Sequence, residues 1–383
     1  MVFKNTLHSN IKKTKIAFVV RTVGLEYDDR IRKECLTLIE QNVELFIYVN
    51  FSDNRVEEGV TSYGVPYLSF KLVTRDKLPS GRFLFIKAAE FYLRVFRNLK
   101  NYDVTWAHEE YTFIFPLLAK KGKCVWDLHE IPFRFERKFM SRVFQYIESK
   151  SKKIIHANKN RVEYLKKNKI IRKPEKHVFI NNFPDSNFRT STKQDLGYED
   201  FIKWLGNEKY VYLQGLSVPK RHPINTLESI LNTSDLKAVV IGEFDANAYS
   251  HLLNKYGKEL EKRIYFIGMV EQLAITNYLR NAQFSIILYD ISTANNLYCE
   301  PNRLYQSIIM NVPVLVGCNP PMKGLVERYH FGVALESDGS NVVELISAVK
   351  TLSNNRNTYL ESLEKFSNKV IWQHDCIDSS WYS

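Results

Sequence analysis

At 383 residues, 45% apolar and 25% charged, the chain is longer than one hydrophobic core usually serves and too apolar for a disordered one, so two globular domains are expected. Its net charge of +12 is uneven: residues 1–190 hold 36 Lys+Arg against 21 Asp+Glu, and the remainder 18 against 21, so a polyanionic or membrane-surface partner is expected on the first half only, and the absence of any recognisable RNA or DNA module argues against nucleic acid. No 18-residue apolar run, no apolar core behind the charged N-terminus and five scattered cysteines without a CxxC pair point away from a spanning helix, a secretory leader, a disulfide framework and a zinc site; the expected location is cytoplasmic, with any membrane contact peripheral.

Residues 1–14 read as a loose basic lead-in. Lys15–Val20 is an apolar run of strand length, and its loop, 21–29, holds one glycine, Gly24. Asp29 is placed to cap a helix with Ile31, Cys35, Leu36 and Ile39 on one face, followed by a strand from Val43 to Val49. This βαβ opening predicts a parallel sheet but lacks GxGxxG. Residues 83–99 read as a helix, apolar on one side and lined by Arg82, Lys87, Arg94, Arg97 and Lys100 on the other. That pattern suits either an interfacial helix facing anionic lipid or a packed helix with a solvated basic face. The strands Asp103–Trp106 and Cys124–Leu128 both end in histidine plus carboxylate, at His108-Glu109-Glu110 and His129-Glu130. His129 could touch a substrate hydroxyl or act as acid or base. The basic, aromatic run Pro132–Phe139 suits an acceptor lip, a membrane contact or an ordinary loop. A helix to Ser149, a strand Lys153–Ala157, a helix Asn160–Lys167 and a strand His177–Ile180 follow, and the polar residues 186–208 read as the interdomain linker.

The alternation then restarts. Strands are predicted at Tyr210–Gln214, Lys237–Ile241 and Arg263–Ile267, ending in Gly215, Gly242 and Gly268. Helices are predicted at 224–232, 246–259 and 272–281. Phe284–Gly317 is the most informative stretch: a buried strand to Tyr289, a polar loop 290–296, Pro301 at a helix start, Leu304, Tyr305, Ile308 and Ile309 at helical spacing, Asn311 as a left-handed stop, and a strand Val312–Val316. Such a unit presents its loop and helix N-terminus at the carboxyl edge of a sheet, where free N–H groups favour an anion such as a diphosphate and Gln306 could reach a sugar hydroxyl. Helices at 324–329, 341–352 and along the tail 354–383 complete the reading.

The order of motifs resembles the retaining glycosyltransferases of family GT4, over about residues 15–370. Asp29-Arg-Ile-Arg-Lys-Glu34 resembles D-x-R-V-x-x-E, Asp127-Leu-His-Glu130 resembles D-x-H-E/D, and Ile180–Asp185 resembles I-x-N-x-P-D. Leu213-Gln-Gly215 with Arg221, Phe266-Ile-Gly268, Pro301-Asn-Arg-Leu-Tyr-Gln306 and Val312-Pro-Val resemble the motifs of the donor half. The resemblance implies an α/β GT-B fold: two Rossmann-like domains facing across a cleft, residues 1–190 for the acceptor and 205–365 for the nucleotide sugar, with the tail 366–383 returning to the first domain as a helix. It implies Lys220 and Arg221 as leaving-group cations beside a catalytic His129. Gly215, Gly242, Gly268, Tyr289, Asn295, Pro301, Asn302, Arg303, Leu304 and Gln306 fall to the donor, and Gly24, Asp28, His108, Glu109 and Glu130 to the acceptor. No metal and no cofactor is expected, and the acceptor is a glycan or lipid-linked saccharide of surface polysaccharide synthesis. Three departures stand out. The family's E-x7-E is Tyr298 and Gln306 here, Leu216 stands where many relatives carry arginine, and a Gly-Gly pair is reduced to Gly24. They leave open a sugar-nucleotide epimerase of the same fold or a catalytically degenerate partner subunit.

Overall fold

The computed structural model describes residues 13–79, 82–233 and 236–383; the basic lead-in lies outside them apart from Lys13 and Thr14. Eight strands form a first sheet: β1 (Lys15–Thr22), β2 (Glu44–Phe51), β3 (Glu58–Val60), β4 (Pro66–Ser69), β5 (Val104–His108), β6 (Cys124–Leu128), β7 (Lys153–His156) and β8 (His177–Phe179). Their order is β3-β4-β2-β1-β5-β6-β7-β8, parallel except for β3 against β4. The run Ile16–Val20 is fully buried, as a central strand covered on both faces requires. Sequence reading missed β3, at the edge of the sheet, and β4 beside it, both short and without a buried apolar run.

A second sheet holds β9 (Tyr210–Gln214), β10 (Lys237–Ile241), β11 (Ile264–Gly268), β12 (Ser285–Ile287), β13 (Val314–Val316) and β14 (Gly332–Ala334), all parallel, in the order β11-β10-β9-β12-β13-β14. In each sheet the strand order reverses beside the first strand, β1 or β9, and the carboxyl edges there are where such sheets bind ligands. The central crossover runs β12, a short helix Ala294–Leu297, Pro301 as N-cap, the helix Asn302–Ile309 and β13, with Asn311 left-handed at φ 56°. No helix among the described residues is long and apolar enough to cross a membrane.

Several expectations are corrected. Asp28, not Asp29, caps the first helix, Asp29–Glu40: its carboxylate accepts the Ile31 N–H at 3.3 Å. The helix expected over 246–259 breaks at Gly257 (φ 52°) and restarts as Lys258–Arg263. The supposed linker contains the helices Ser186–Thr190 and Tyr198–Leu205, whose Phe188, Phe201 and Leu205 are buried with Tyr210 and Tyr278 of the second lobe. Three apolar residues are enough to anchor these two helices, and the polar residues around them hid the pattern. The tail is helical only to Ser367 and then makes two 3₁₀ turns. It does return to the first lobe: Trp372, Ile377, Trp381 and Tyr382 pack against the β1–β2 core, and Trp372 Nε1 donates to Thr37 Oγ1 at 2.9 Å.

Candidate functional site

The first-lobe wall is built on a buried ion network at the ends of β5 and β6. Asp127, at the end of β6, accepts Arg30 Nε and Nη2 at 3.2 Å each and lies 2.9 Å from His129 Nε2. His129 Nδ1 is 2.9 Å from Glu109 Oε1, so both ring nitrogens face carboxylates and both donate. Burial opposes charge on this ring, but Glu109 and then Asp127 outweigh it and hold the imidazole pKa well above the usual range. Burial likewise works against the Asp127 carboxylate, and Arg30 followed by His129 holds it well below the ordinary value. Glu34, buried beside Asp127, is pushed well upward by burial and then by that neighbouring charge. His108, fully buried, is lowered to about 3 by burial, against the pull of Asp127, and is neutral. Nitrogens and oxygens of His108, Asp127 and His129 lie within 4.8 Å of one another, a spacing that could hold a metal ion. Here the Arg30 guanidinium supplies the positive charge at Asp127, and N–H bonds fill the space between His129 and its two carboxylates. Glu109 adopts φ 68°, ψ 166°, a conformation costing on the order of 1–3 kcal/mol for a residue with a Cβ. It is pinned by its N–H to Asp127 O at 2.8 Å and by Trp126 Nε1 donating to its carbonyl at 3.0 Å.

The second-lobe wall is cationic. Arg221 and Arg303 both lie over the Tyr289 ring, with guanidinium carbons 5.2 and 4.8 Å from its centroid. Arg303 is buried, donates through Nη1 to Gln214 O, and leaves Nε and Nη2 without a hydrogen-bond partner among the described residues. Burial lowers its pKa; Tyr289 works in the opposite sense, and the nearby charge of Arg221 lowers it further. Gly215, at φ 70°, makes room for this pair: a Cβ there would lie 2.5 Å from Arg221 Nη1. Gln306 donates to Gln272 Oε1 at 2.9 Å and leaves its own Oε1 buried and unpartnered among the described residues.

The two walls enclose a cleft of about 400 Å³ between the lobes. Glu109, His129 and Glu130 line one side, and Lys220, Arg221, Tyr289, Asn295, Pro301 and Asn302 the other. A smaller recess of about 230 Å³ at Gly215, Arg221, Tyr289, Arg303 and Gln306 adjoins it through their shared lining residues.

No protein-family model and no curated protein sequence matches the chain. Solved structures do match over nearly its whole length. Sucrose-phosphate synthase from Thermosynechococcus elongatus superposes with a TM-score of 0.72 at 10% identity, covering 94% of this chain and 95% of that one. Anabaena HepE in complex with UDP and glucose gives 0.68 at 14% identity, with 94% and 95% covered. WaaG, a glycosyltransferase involved in lipopolysaccharide biosynthesis, gives 0.65 at 12%, with 92% and 95% covered. The fold is GT-B.

Within this GT-B frame the sequence-selected residues divide. His129, Glu109 and Glu130 reach the cleft from the first lobe. His108 does not: it is fully buried behind His129, 3.5 Å from its Nε2, because it is still within β5, level with Asp127, whereas His129 lies past the end of β6. Asp28 is spent as a helix cap, and Gly24 packs under Tyr27; neither lines the cleft. His129 is not placed as a base, since both nitrogens are committed; it is a fixed cation that orients Glu109. In the second lobe Leu304 is corrected: its side chain is fully buried in the core with Ile308 and Val316, as the inward face of an eight-residue amphipathic helix demands. Gly242 and Gly268 pair with each other through a 2.6 Å backbone bond and line neither cavity. Asn295 lines the cleft while its Oδ1 accepts the Ile131 N–H at 3.1 Å, tying the lobes together.

Sequence reading missed Arg161, Asn182 and Glu300. Arg161 lines the cleft and donates to the His129 carbonyl; on sequence it was one cation among several on a basic helix. Glu300 lines the cleft, accepts Tyr305 Oη at 2.5 Å and Asn160 Nδ2 at 3.3 Å, and has its pKa raised by burial. Its signal was a carboxylate directly before Pro301. Tyr298, where the resemblance expects a glutamate, packs against Tyr164 with the rings tilted by 42° and centroids 5.3 Å apart, and does not line the cleft.

Proposed function

We propose that the chain is a retaining, metal-independent glycosyltransferase of GT4 type. It moves a sugar from a nucleotide-sugar donor to a glycan or lipid-linked acceptor in surface polysaccharide synthesis. The observation that carries the reading is the pair Arg221 and Arg303 clasping Tyr289 beside the N-terminus of the Asn302–Ile309 helix, with two unpartnered guanidinium nitrogens of Arg303 in the recess that adjoins the interdomain cleft. That is a seat for a diphosphate. HepE, of the same fold, has been solved with UDP and with UDP-glucose, which supports a uridine or similar nucleotide here.

In this reading the bond from the anomeric carbon to the diphosphate oxygen breaks, and the leaving group departs with the electron pair. Arg221, Arg303, the exposed Lys220 and the helix amides neutralise it, each good donor contributing about 3–4 kcal/mol to the transition state. Gln306 holds a donor hydroxyl through its free Oε1. The acceptor hydroxyl oxygen forms the new bond to the anomeric carbon on the face the leaving group vacates, and its proton passes to Glu130 or Glu300, two cleft-lining carboxyls whose pKa burial raises. Thermal-shift screening against UDP, GDP, dTDP and CMP tests the donor seat: a nucleotide at about 100 times its Kd stabilises by roughly 2.7 kcal/mol. No shift with any nucleotide diphosphate sinks the proposal. The absence of carboxylates at 298 and 306 favours one second reading, a nucleotide-binding partner subunit without turnover. Donor hydrolysis or transfer above background removes that reading.

A further inference from the structure

A second basic cavity, of about 180 Å³, lies wholly in the first lobe and shares no lining residue with the cleft. Arg21 comes to it from the end of β1, Arg75 from the short helix Val73–Lys77, Arg82 from the residues just before the helix Leu84–Val95, and Lys87 from that helix's first turn. Tyr111 and Arg134 join them from the turns after β5 and β6. The cavity therefore sits at the carboxyl edge of the first sheet, as the donor recess sits at that of the second. Among the described residues no carboxylate lines it.

Three of the cations, Arg21, Arg75 and Lys87, have no ion pair among the described residues. Arg75 is pinned by neutral acceptors: Asn50 Oδ1 at 2.8 Å, Phe51 O at 2.8 Å and Ser52 O at 2.6 Å. Lys87 donates to Pro79 O at 2.7 Å. Arg21 stacks over the Tyr111 ring at 4.9 Å and has no ion pair among the described residues. Its side chain is exposed overall, yet the protein packed around its guanidinium and, after that, the charge of Arg75 pull its pKa below the usual arginine range. Arg134 does meet a carboxylate, Glu110 at 3.6 Å. Tyr111 is 6% exposed, and its buried hydroxyl has no hydrogen-bond partner among the described residues. Like charges fixed by carbonyls around an unpartnered hydroxyl are costly when nothing neutralises them, and a buried orphan donor marks a missing acceptor. A single carboxylate would leave most of the charge unmet; a phosphate or diphosphate, with two or more charges and several acceptor oxygens, matches the forked donors.

We propose that this cavity is a phosphate-binding subsite that takes the phosphate or diphosphate group of the acceptor. Its assignment to the acceptor rests on the transferase reading above; the anion site itself rests on Arg21, Arg75, Lys87 and Tyr111.

Calorimetry of the full chain with inorganic pyrophosphate, in the presence of excess UDP to fill the donor recess, tests it. Binding is expected, weakened about tenfold or more by Arg21→Gln and several-fold by Tyr111→Phe, the effects of a lost charged and a lost neutral hydrogen bond, with UDP affinity unchanged. Arg21 is exposed and the Tyr111 change removes one oxygen, so both variants should fold. Pyrophosphate that UDP displaces completely, or that binds both variants as tightly as the parent, overturns the proposal. Glucose 6-phosphate as competitor, and vesicles of phosphatidylcholine with phosphatidic acid, separate a soluble phosphosugar from a lipid-borne phosphate. If UDP fails to bind while Arg21-dependent pyrophosphate binding persists, the transferase reading falls and the anion site stands.

Discussion

Replacing Arg303 by methionine separates a functional cation from a structural one. The side chain is 6% exposed, gives one N–H group to Gln214 O, and shares the Tyr289 ring with a second guanidinium. In the free protein its charge has no ion pair among the described residues and shares a ring face with Arg221, and burial followed by that neighbour lowers its pKa. Arg303→Met leaves the Gln214 carbonyl without this donor, a cost of about 1–3 kcal/mol. It also removes two orphan N–H groups and a like-charge repulsion, a relief of similar size. The free protein should therefore melt within a few degrees of the parent, since about 1 kcal/mol moves Tm by roughly 2–4 °C in a lobe of this size. Nucleotide binding loses a charge-assisted hydrogen bond of about 1.5–3 kcal/mol, or roughly 10–100-fold in Kd. Calorimetric titration with UDP, alongside thermal melts with and without it, reads both quantities. Unchanged UDP affinity, or a free-protein Tm lowered by about 10 °C or more, would refute the reasoning by showing that Arg303 braces the lobe.

Gly215→Ala places a Cβ against Arg221 at a backbone angle of φ 70° and should cost on the order of 1–2 kcal/mol of stability while displacing Arg221 and weakening UDP binding; melts and titration of the same sample check both. For the His129 network the sign is set by a raised histidine. Its contribution is full below the ordinary histidine value near 6.5 and is lost as pH climbs through the raised folded value. The Tm difference between the parent and His129→Gln should therefore shrink as pH rises, and a difference that grows contradicts the assignment. Asp127 runs the other way: its contribution is present above the ordinary carboxylate range and is lost as pH falls through its depressed value, so Asp127→Asn should approach the parent only in acid. Trp372→Ala removes the tail's main anchor, which also lies 4.9 Å from Lys33 Nζ; denaturant unfolding should show a loss of about 3–5 kcal/mol confined to the first lobe. The helix Leu84–Val95 exposes Phe85, Ile86 and Leu93, so Ile86→Glu should reduce retention by anionic vesicles at low salt while leaving Tm within about 1 °C.

The repeated strand-and-helix pattern was legible because buried parallel strands are continuous apolar runs, as Ile16–Val20 in the first sheet and Ala238–Ile241 in the second show. Asn311 was readable as a left-handed stop for a similarly local reason. The short strands β3 and β4 were not, having no buried run, and the helix Tyr198–Leu205 was lost among polar neighbours although Phe201 and Leu205 hold it down. Site residues divided along the same line. Arg221 was picked through the motif resemblance and Gln306 by its place in the first turns of a helix, and both line the second-lobe recess. That His108 is buried behind His129, that Leu304 faces inward, and that Glu300 rather than Tyr298 stands in the cleft depend on where a strand ends and which way a loop turns. Sequence spacing does not carry that. The pairing of Arg21 with Arg75 and Lys87 was equally invisible, since the three come from separate elements.

Hydrogen exchange of the full chain with and without UDP tests the central claim most directly. The account predicts slowed exchange at Gly215–Arg221 and Asn302–Gln306, with the Arg75 and Tyr111 segments unchanged. Protection that appears only in the first lobe, or at neither second-lobe segment, would contradict it.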